Sequence, residues 1–184
     1  IPNLYLDMTE LANHRGDDPA KYHIGIGQDQ MALNRVSEDI ITLGANAASR
    51  IVTEQDRELI DMVIVGTESG IDHSKASAVI IHHLLKVQPF ARSFEVKEAC
   101  YGGTAALHMA KEYVKNHQDR KVLVIASDMA RYGLASGGEV TQGVGAVAMM
   151  VTADPRILTI EDDSTFLTED IYDFWRPDYS EFPI

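Results

Sequence analysis

Two unbroken apolar runs, Met62-Val63-Ile64-Val65 and Val122-Leu123-Val124-Ile125-Ala126, constrain this chain more than any other feature. A strand that is apolar on both faces has to be covered on both, which points to a parallel sheet between helical layers. The segments around these runs supply the covering helices. Val36, Ile40, Leu43, Ala47 and Ile51 recur at helical spacing with Ser37 as a candidate cap. Ala76, Val79, Ile80, His83 and Leu84 restore the same period and stop before Pro89, and Ala105, Ala106, Met109, Ala110, Tyr113 and Val114 make a third stripe. Arg92–Val96 reads as a further strand, and Ala146–Val151 with Ile157–Ile160 as a hairpin turning at Ala153-Asp154-Pro155. The expectation is an α/β chain with helices on both faces of a mostly parallel mixed sheet that has an antiparallel edge. Leu4 to Gln30, with a short helix over Thr9–His14, reads as a loop-rich entry segment. The tail from Thr168 to Ile184 has no period, and its Trp175 calls for a burial partner beyond these residues.

The balance of charges narrows the ligands. A formal net charge of -12 argues against a nucleic-acid surface, because phosphate binding rests on clustered Lys and Arg. An anionic ligand has to be met by local basic groups or helix N-termini. No apolar run approaches the roughly 18–20 residues of a membrane span, and Ile1-Pro2-Asn3-Leu4 lacks the layout of a signal peptide. The default expectation is a cytoplasmic protein with no membrane partner. The start without Met and the Pro-punctuated end predict a piece of a longer polypeptide.

A single cysteine among 184 residues excludes an internal disulfide and a multi-cysteine zinc site. The seven histidines show no metal spacing, and Gly25-Ile26-Gly27 lacks the third glycine of a dinucleotide fingerprint, so neither a metal nor a nicotinamide cofactor is expected. His108 falls two turns into its helix, too far along to serve Cys100. Cys100 itself stands in Glu98-Ala99-Cys100-Tyr101-Gly102-Gly103-Thr104, just after the Phe94 strand and at the first turn of the next helix. The partial positive charge of a helix N-terminus favours a thiolate able to attack a thioester. Gly102 and Gly103 cost helix stability and predict the close approach of another backbone or of a ligand. A small core residue is the competing account of the thiol. Glu68 follows the Met62–Val65 strand at its carboxyl end, where ligands of open α/β sheets gather. A carboxylate beside an apolar pocket there suits proton abstraction from carbon, although a solvated turn residue is the plainer reading.

Taken together, Glu98-Ala99-Cys100-Tyr101-Gly102-Gly103-Thr104-Ala105, Thr67-Glu68-Ser69, Ala130-Arg131-Tyr132-Gly133, Thr141 through Met149, and Tyr172-Asp173-Phe174-Trp175-Arg176-Pro177 resemble the bacterial type of 3-hydroxy-3-methylglutaryl-CoA synthase. The resemblance runs over essentially the whole chain and implies a thiolase-like fold of two βαβαβαββ halves, of which residues 1–184 are the N-terminal one. It implies that Cys100 carries an acetyl group from acetyl-CoA and that Glu68 is the general acid/base in its condensation with acetoacetyl-CoA. Asp18 and Pro19 match a position near the bound CoA ester, and Tyr132 and Thr141 match the acyl pocket. A homodimer is implied, with coenzyme A thioesters as substrates and no cofactor. The family's essential histidine and its basic CoA contacts belong to the absent half, so this piece alone is expected not to turn over and to fold poorly. A β-ketoacyl carrier-protein synthase III-like enzyme, which Glu68 argues against, and a noncatalytic α/β domain with a buried cysteine are the competing readings.

Overall fold

The computed structural model describes residues 1–184. The two apolar runs are the central strands of a four-stranded sheet: β3 (Ile60–Gly66) lies between β4 (Arg92–Val96) and β5 (Lys121–Ala130), and β6 (Gly143–Val151) pairs with the far side of β5. The pairings β3/β4 and β3/β5 are parallel, with Ile64 opposite Phe94 and Val124, whereas β5/β6 is antiparallel. Alternation along the strands splits the core. Val63, Val65, Leu123 and Ile125 face α2 (Ile40–Ser49) and α4 (Ser77–Leu85), packing with Ile40, Ile41 and Ile81. Met62, Ile64, Val122 and Val124 face α5 (Gly102–Asn116) through Ala106, Ala110 and Val114. The mostly parallel mixed sheet with helices on both faces is therefore present. No helix is long and apolar enough to cross a membrane.

Local chemistry sets the boundaries. The cap of α2 is Asp39 rather than Ser37: its carboxylate accepts from the Thr42 N–H while the Thr42 hydroxyl receives the Asp39 N–H, and Val36 is left fully exposed. The same device, Thr53 with Asp56, starts a short polar helix, α3 (Glu54–Leu59), which carries no apolar stripe that would announce it. The N-terminal region is more ordered than a loop-rich segment. β1 (Leu4–Asp7) and β2 (Gln30–Leu33) form an antiparallel ribbon apart from the main sheet. Between them lie α1 (Met8–Arg15) and a π-helical turn, Lys21–Ile26. Met8, Leu11, Ala12, Tyr22 and Met31 give this unit a small core of its own.

The expected hairpin does not form. β6 pairs with β5, while Ile157 and Leu158 are 87% and 79% exposed and belong to no strand. The acidic residues that follow draw the chain elsewhere: Asp162 bridges Lys111 at 2.9 Å and Lys115 at 2.6 Å, and Lys111 also donates to the Glu161 carbonyl. These contacts lay the tail on α5, where Phe166 meets His108 edge-on at 5.3 Å. Residues 152–184 hold no helix or strand. Trp175 finds partial cover within the tail itself, edge-on to Tyr172 at 5.4 Å.

Candidate active site

β3 and β4 are parallel and end together, and the start of α5 is drawn against both ends. A Cβ on Gly66 would stand 2.4 Å from the Gly103 nitrogen, and one on Gly102 would stand 2.9 Å from the Val96 carbonyl oxygen. The close approach anticipated for the two glycines is thus helix backbone against strand backbone. Cys100 lies just ahead of the helix rather than in its first turn, because Tyr101 is the N-cap residue and Gly102 the first helical one. The preceding Ala99 adopts φ 39°, a left-handed conformation that costs a non-glycine residue about 1 kcal/mol. The thiol is exposed, so it fills no core space and the buried-cysteine reading fails.

Glu68 sits in a turn pinned by one carboxylate oxygen. Asp128 Oδ1, on β5, accepts from the Thr67 hydroxyl, the Glu68 N–H and the Ser69 hydroxyl, each at 2.9 Å. The Thr67 hydroxyl accepts the Ser69 N–H at 3.0 Å, and the Ser69 hydroxyl accepts the Met129 N–H at 3.2 Å. Thr67 is buried, and its N–H donates to the Val96 carbonyl across the strand ends at 3.2 Å. The turn's polar groups are spent on one another, yet the Glu68 carboxyl is the terminus or acceptor of none of these bonds. Burial, then the Asp128 charge, pushes its pKa above the ordinary carboxyl value, with Arg176 pulling the other way.

Tyr132, just past β5, completes the corner. Its N–H donates to Gln142 Oε1 at 2.7 Å, its ring packs on Gly138, and Phe174 from the tail approaches edge-on at 6.3 Å. Burial raises the phenol pKa, reinforced by the charges of Glu68 and Cys100, with Thr141 opposing. Cys100 and Glu68 are therefore each within electrostatic reach of Tyr132. Thr141 is exposed and donates to the Gly138 carbonyl at 2.8 Å. It ends a one-turn helix, Glu139–Thr141, whose buried Glu139 is clasped by Arg15 of α1 at 2.6 and 2.8 Å.

Asp18 and Pro19 stand apart from this corner. Asp18 turns the chain into the π-helical segment by accepting the Ala20 N–H at 3.0 Å, and no hydrogen bond or ion pair joins either residue to Cys100, Glu68 or Tyr132. Two participants had no role assigned from the sequence, although Arg176 stands in the Tyr172–Pro177 motif. Asp128 carried the same signal as Glu68, a carboxylate past an apolar run. Arg176 comes from the patternless tail, lining a small recess with Glu68, Ser69, Tyr132 and Pro183. No group of three or more His, Cys, Asp or Glu side chains is arranged to hold a metal ion.

Comparison with known proteins agrees with this architecture. The model of the hydroxymethylglutaryl-coenzyme A synthase N-terminal family matches residues 1–156. The hydroxymethylglutaryl-CoA synthase of Enterococcus faecalis is 62% identical over 184 residues, all of this chain and 48% of the relative. A crystal structure of HMG-CoA synthase complexed with CoA superposes with a TM-score of 0.95 at 51% identity, covering 98% of this chain and 46% of that one. MvaS in complex with 3-hydroxy-3-methylglutaryl coenzyme A gives a TM-score of 0.91 at 41% identity, covering 100% of this chain and 45% of that one. The chain spans about half the length of the relatives it matches. With its sheet, its cysteine ahead of α5 and its glutamate beyond β3 set in a thiolase-like frame, this chain belongs to the hydroxymethylglutaryl-CoA synthase family.

Proposed function

We propose that this chain is the N-terminal half of a hydroxymethylglutaryl-CoA synthase and carries its acetyl-transfer and proton-transfer groups. The Cys100 thiolate attacks the carbonyl of acetyl-CoA and expels CoA as its thiol, leaving an acetyl thioester on the enzyme. Glu68 removes a proton from the acetyl methyl group, and the resulting enolate adds to the ketone carbon of acetoacetyl-CoA. The alkoxide takes the proton back from Glu68, and water then cleaves the cysteine thioester to release 3-hydroxy-3-methylglutaryl-CoA and free thiol. The observation that carries this reading is the pairing of an exposed thiol ahead of α5 with a half-buried carboxylate of raised pKa on a pinned turn. A general base of that kind sits closer to working pH than an ordinary carboxylate. Tyr132 and Thr141 line the acyl side in this reading, and Asp18 and Pro19 meet the CoA ester. The unpaired outer edge of β4 is compatible with a homodimer.

The test is intact mass and peptide mapping of the full-length gene product after brief exposure to acetyl-CoA, beside a Cys100→Ser variant. An acetyl increment on the Cys100 peptide, absent from the variant, is the expected outcome. A folded full-length protein that takes up no acetyl group would sink the reading. The 184-residue chain alone is expected to show no turnover.

A further inference from the structure

The tail residue Arg176 reaches the turn that holds Glu68 from a sequence distance of 108 residues, and its Nη2 donates to the Glu68 carbonyl at 2.6 Å. The guanidinium is not carried there by a loose end. The Ile184 N–H returns to the Trp175 carbonyl at 2.9 Å, the Ser180 N–H donates to the Pro177 carbonyl at 2.9 Å, and the Ser180 hydroxyl donates to the Phe182 carbonyl at 2.6 Å. Trp175 to Ile184 is thus a loop tied to itself, with Arg176 beside the knot. Phe174, two residues earlier, rests against Tyr132, so the tail touches the same corner at two points.

We propose that Arg176 is a positioning residue for Glu68, its hydrogen bond to the Glu68 carbonyl fixing the turn from the tail as Asp128 fixes it from the sheet, and its charge facing the carboxylate. The proposal rests on the reading of Glu68 as the acid/base group. Two charges of opposite sign then bracket one carboxyl. Asp128 favours the protonated form and Arg176 the ionised one, so the sheet and the tail set the proton affinity of Glu68 against each other. The other groups at this corner are Arg131 and Tyr132, beyond β5, and Cys100, ahead of α5. Arg176 is the group among them that contacts the Glu68 main chain from outside the sheet.

The experiment compares Arg176→Gln and Arg176→Lys with the unsubstituted full-length gene product in two assays, acetyl labelling of Cys100 and the pH profile of condensation. Arg176→Gln is expected to keep the label while kcat falls about tenfold, the size of one charge-assisted hydrogen bond. Its acid limb should move to higher pH, because the cation that favours ionised Glu68 has gone. Arg176→Lys, which keeps the charge but not the planar fork, should return the limb toward its original position. A fall in kcat with the acid limb unmoved makes Arg176 a mere fastener of the tail and overturns the proposal. Loss of the Cys100 label in both variants does the same, since the defect is then one of folding or substrate entry. An unsubstituted protein that takes no label overturns the reading of Cys100 as well, which separates the two failures.

Discussion

The corner at the carboxyl ends of β3 and β5 and the tail from residue 152 to 184 meet at one residue, Glu68, yet they are built in opposite ways. The corner stands on strands whose side chains, Val63, Ile64, Val65, Val124 and Ile125, are wholly buried, and its turn is pinned to a single Asp128 oxygen. The tail exposes Ile157, Leu158 and Leu167 and is held by separate polar contacts: Asp162 on Lys111 and Lys115, Arg176 on Glu68. Local stability follows buried apolar contact, so the corner should open only with the domain, and the tail independently of it. A synthase reading gains from that division: the acid/base group is held rigid while the strap beside it can be tuned by one contact at a time.

The largest expected break of this comparison comes from truncating matched residues in the two regions. Ile64→Ala removes a fully buried side chain between β3 and α5 and should cost about 4 kcal/mol, read as a lower urea midpoint of the full-length gene product. Ile157→Ala, the same chemical change at a residue 87% exposed, should stay within about 0.5 kcal/mol. Equal costs would mean that Ile157 is buried by something beyond this chain and that the tail is no strap.

Asp128→Asn sharpens the contrast at the point where the regions meet. The amide keeps the shape but loses the charge that receives three donors, which should cost about 2 kcal/mol. The Asp128 charge raises the Glu68 pKa, so removing it should carry the acid limb of condensation to lower pH, the reverse of the Arg176→Gln shift. A limb moving in the same direction in both variants would show that the turn had simply come loose.

How much of this could be read from the sequence follows the same division. β3 and β5 announced themselves because strands covered on both faces leave an unbroken apolar run, and β4 has the bounds its residues gave it, Arg92–Val96. β1 and β2 are four residues each and pair across a separation that no local pattern encodes, and α3 shows only its Thr53–Asp56 box. The hairpin at Ile157–Ile160 does not form: Thr159 interrupts its three apolar residues, and Asp162 just beyond them pairs with α5, a contact invisible to hydropathy. At the site, the placement of Cys100 and Glu68 just beyond strand ends was legible. Asp128 carried the cue that marked Glu68, a carboxylate just past an apolar run, but it stands within β5, which runs on to Ala130, whereas the place of Arg176 depends on a tail loop closed by main-chain bonds. Asp18 and Pro19 came from resemblance alone, and their placement by α1 leaves their link to the corner resting on that resemblance.

The smallest effect expected is an acid-labile release of the strap. Hydrogen bonds from Lys115 and Lys111, and then their charges, lower the Asp162 pKa from its ordinary 3.8 to about 2. Because the folded value is the depressed one, the clasp contributes fully above the unfolded pKa and is lost as pH falls from about 4 toward about 2. Asp162 is 75% exposed, so the contribution is screened and should weaken with salt. Cleavage within residues 157–166 by an acid-active protease should therefore rise across that pH window, relative to a free peptide of the same sequence, while β3 and β5 stay uncut. Asp162→Asn should show the raised cleavage already at the upper end of that window and lose the acid step. Simultaneous opening of strap and strands in acid would mean that the two regions unfold as one unit, and the independence assigned to the tail would have to be given up.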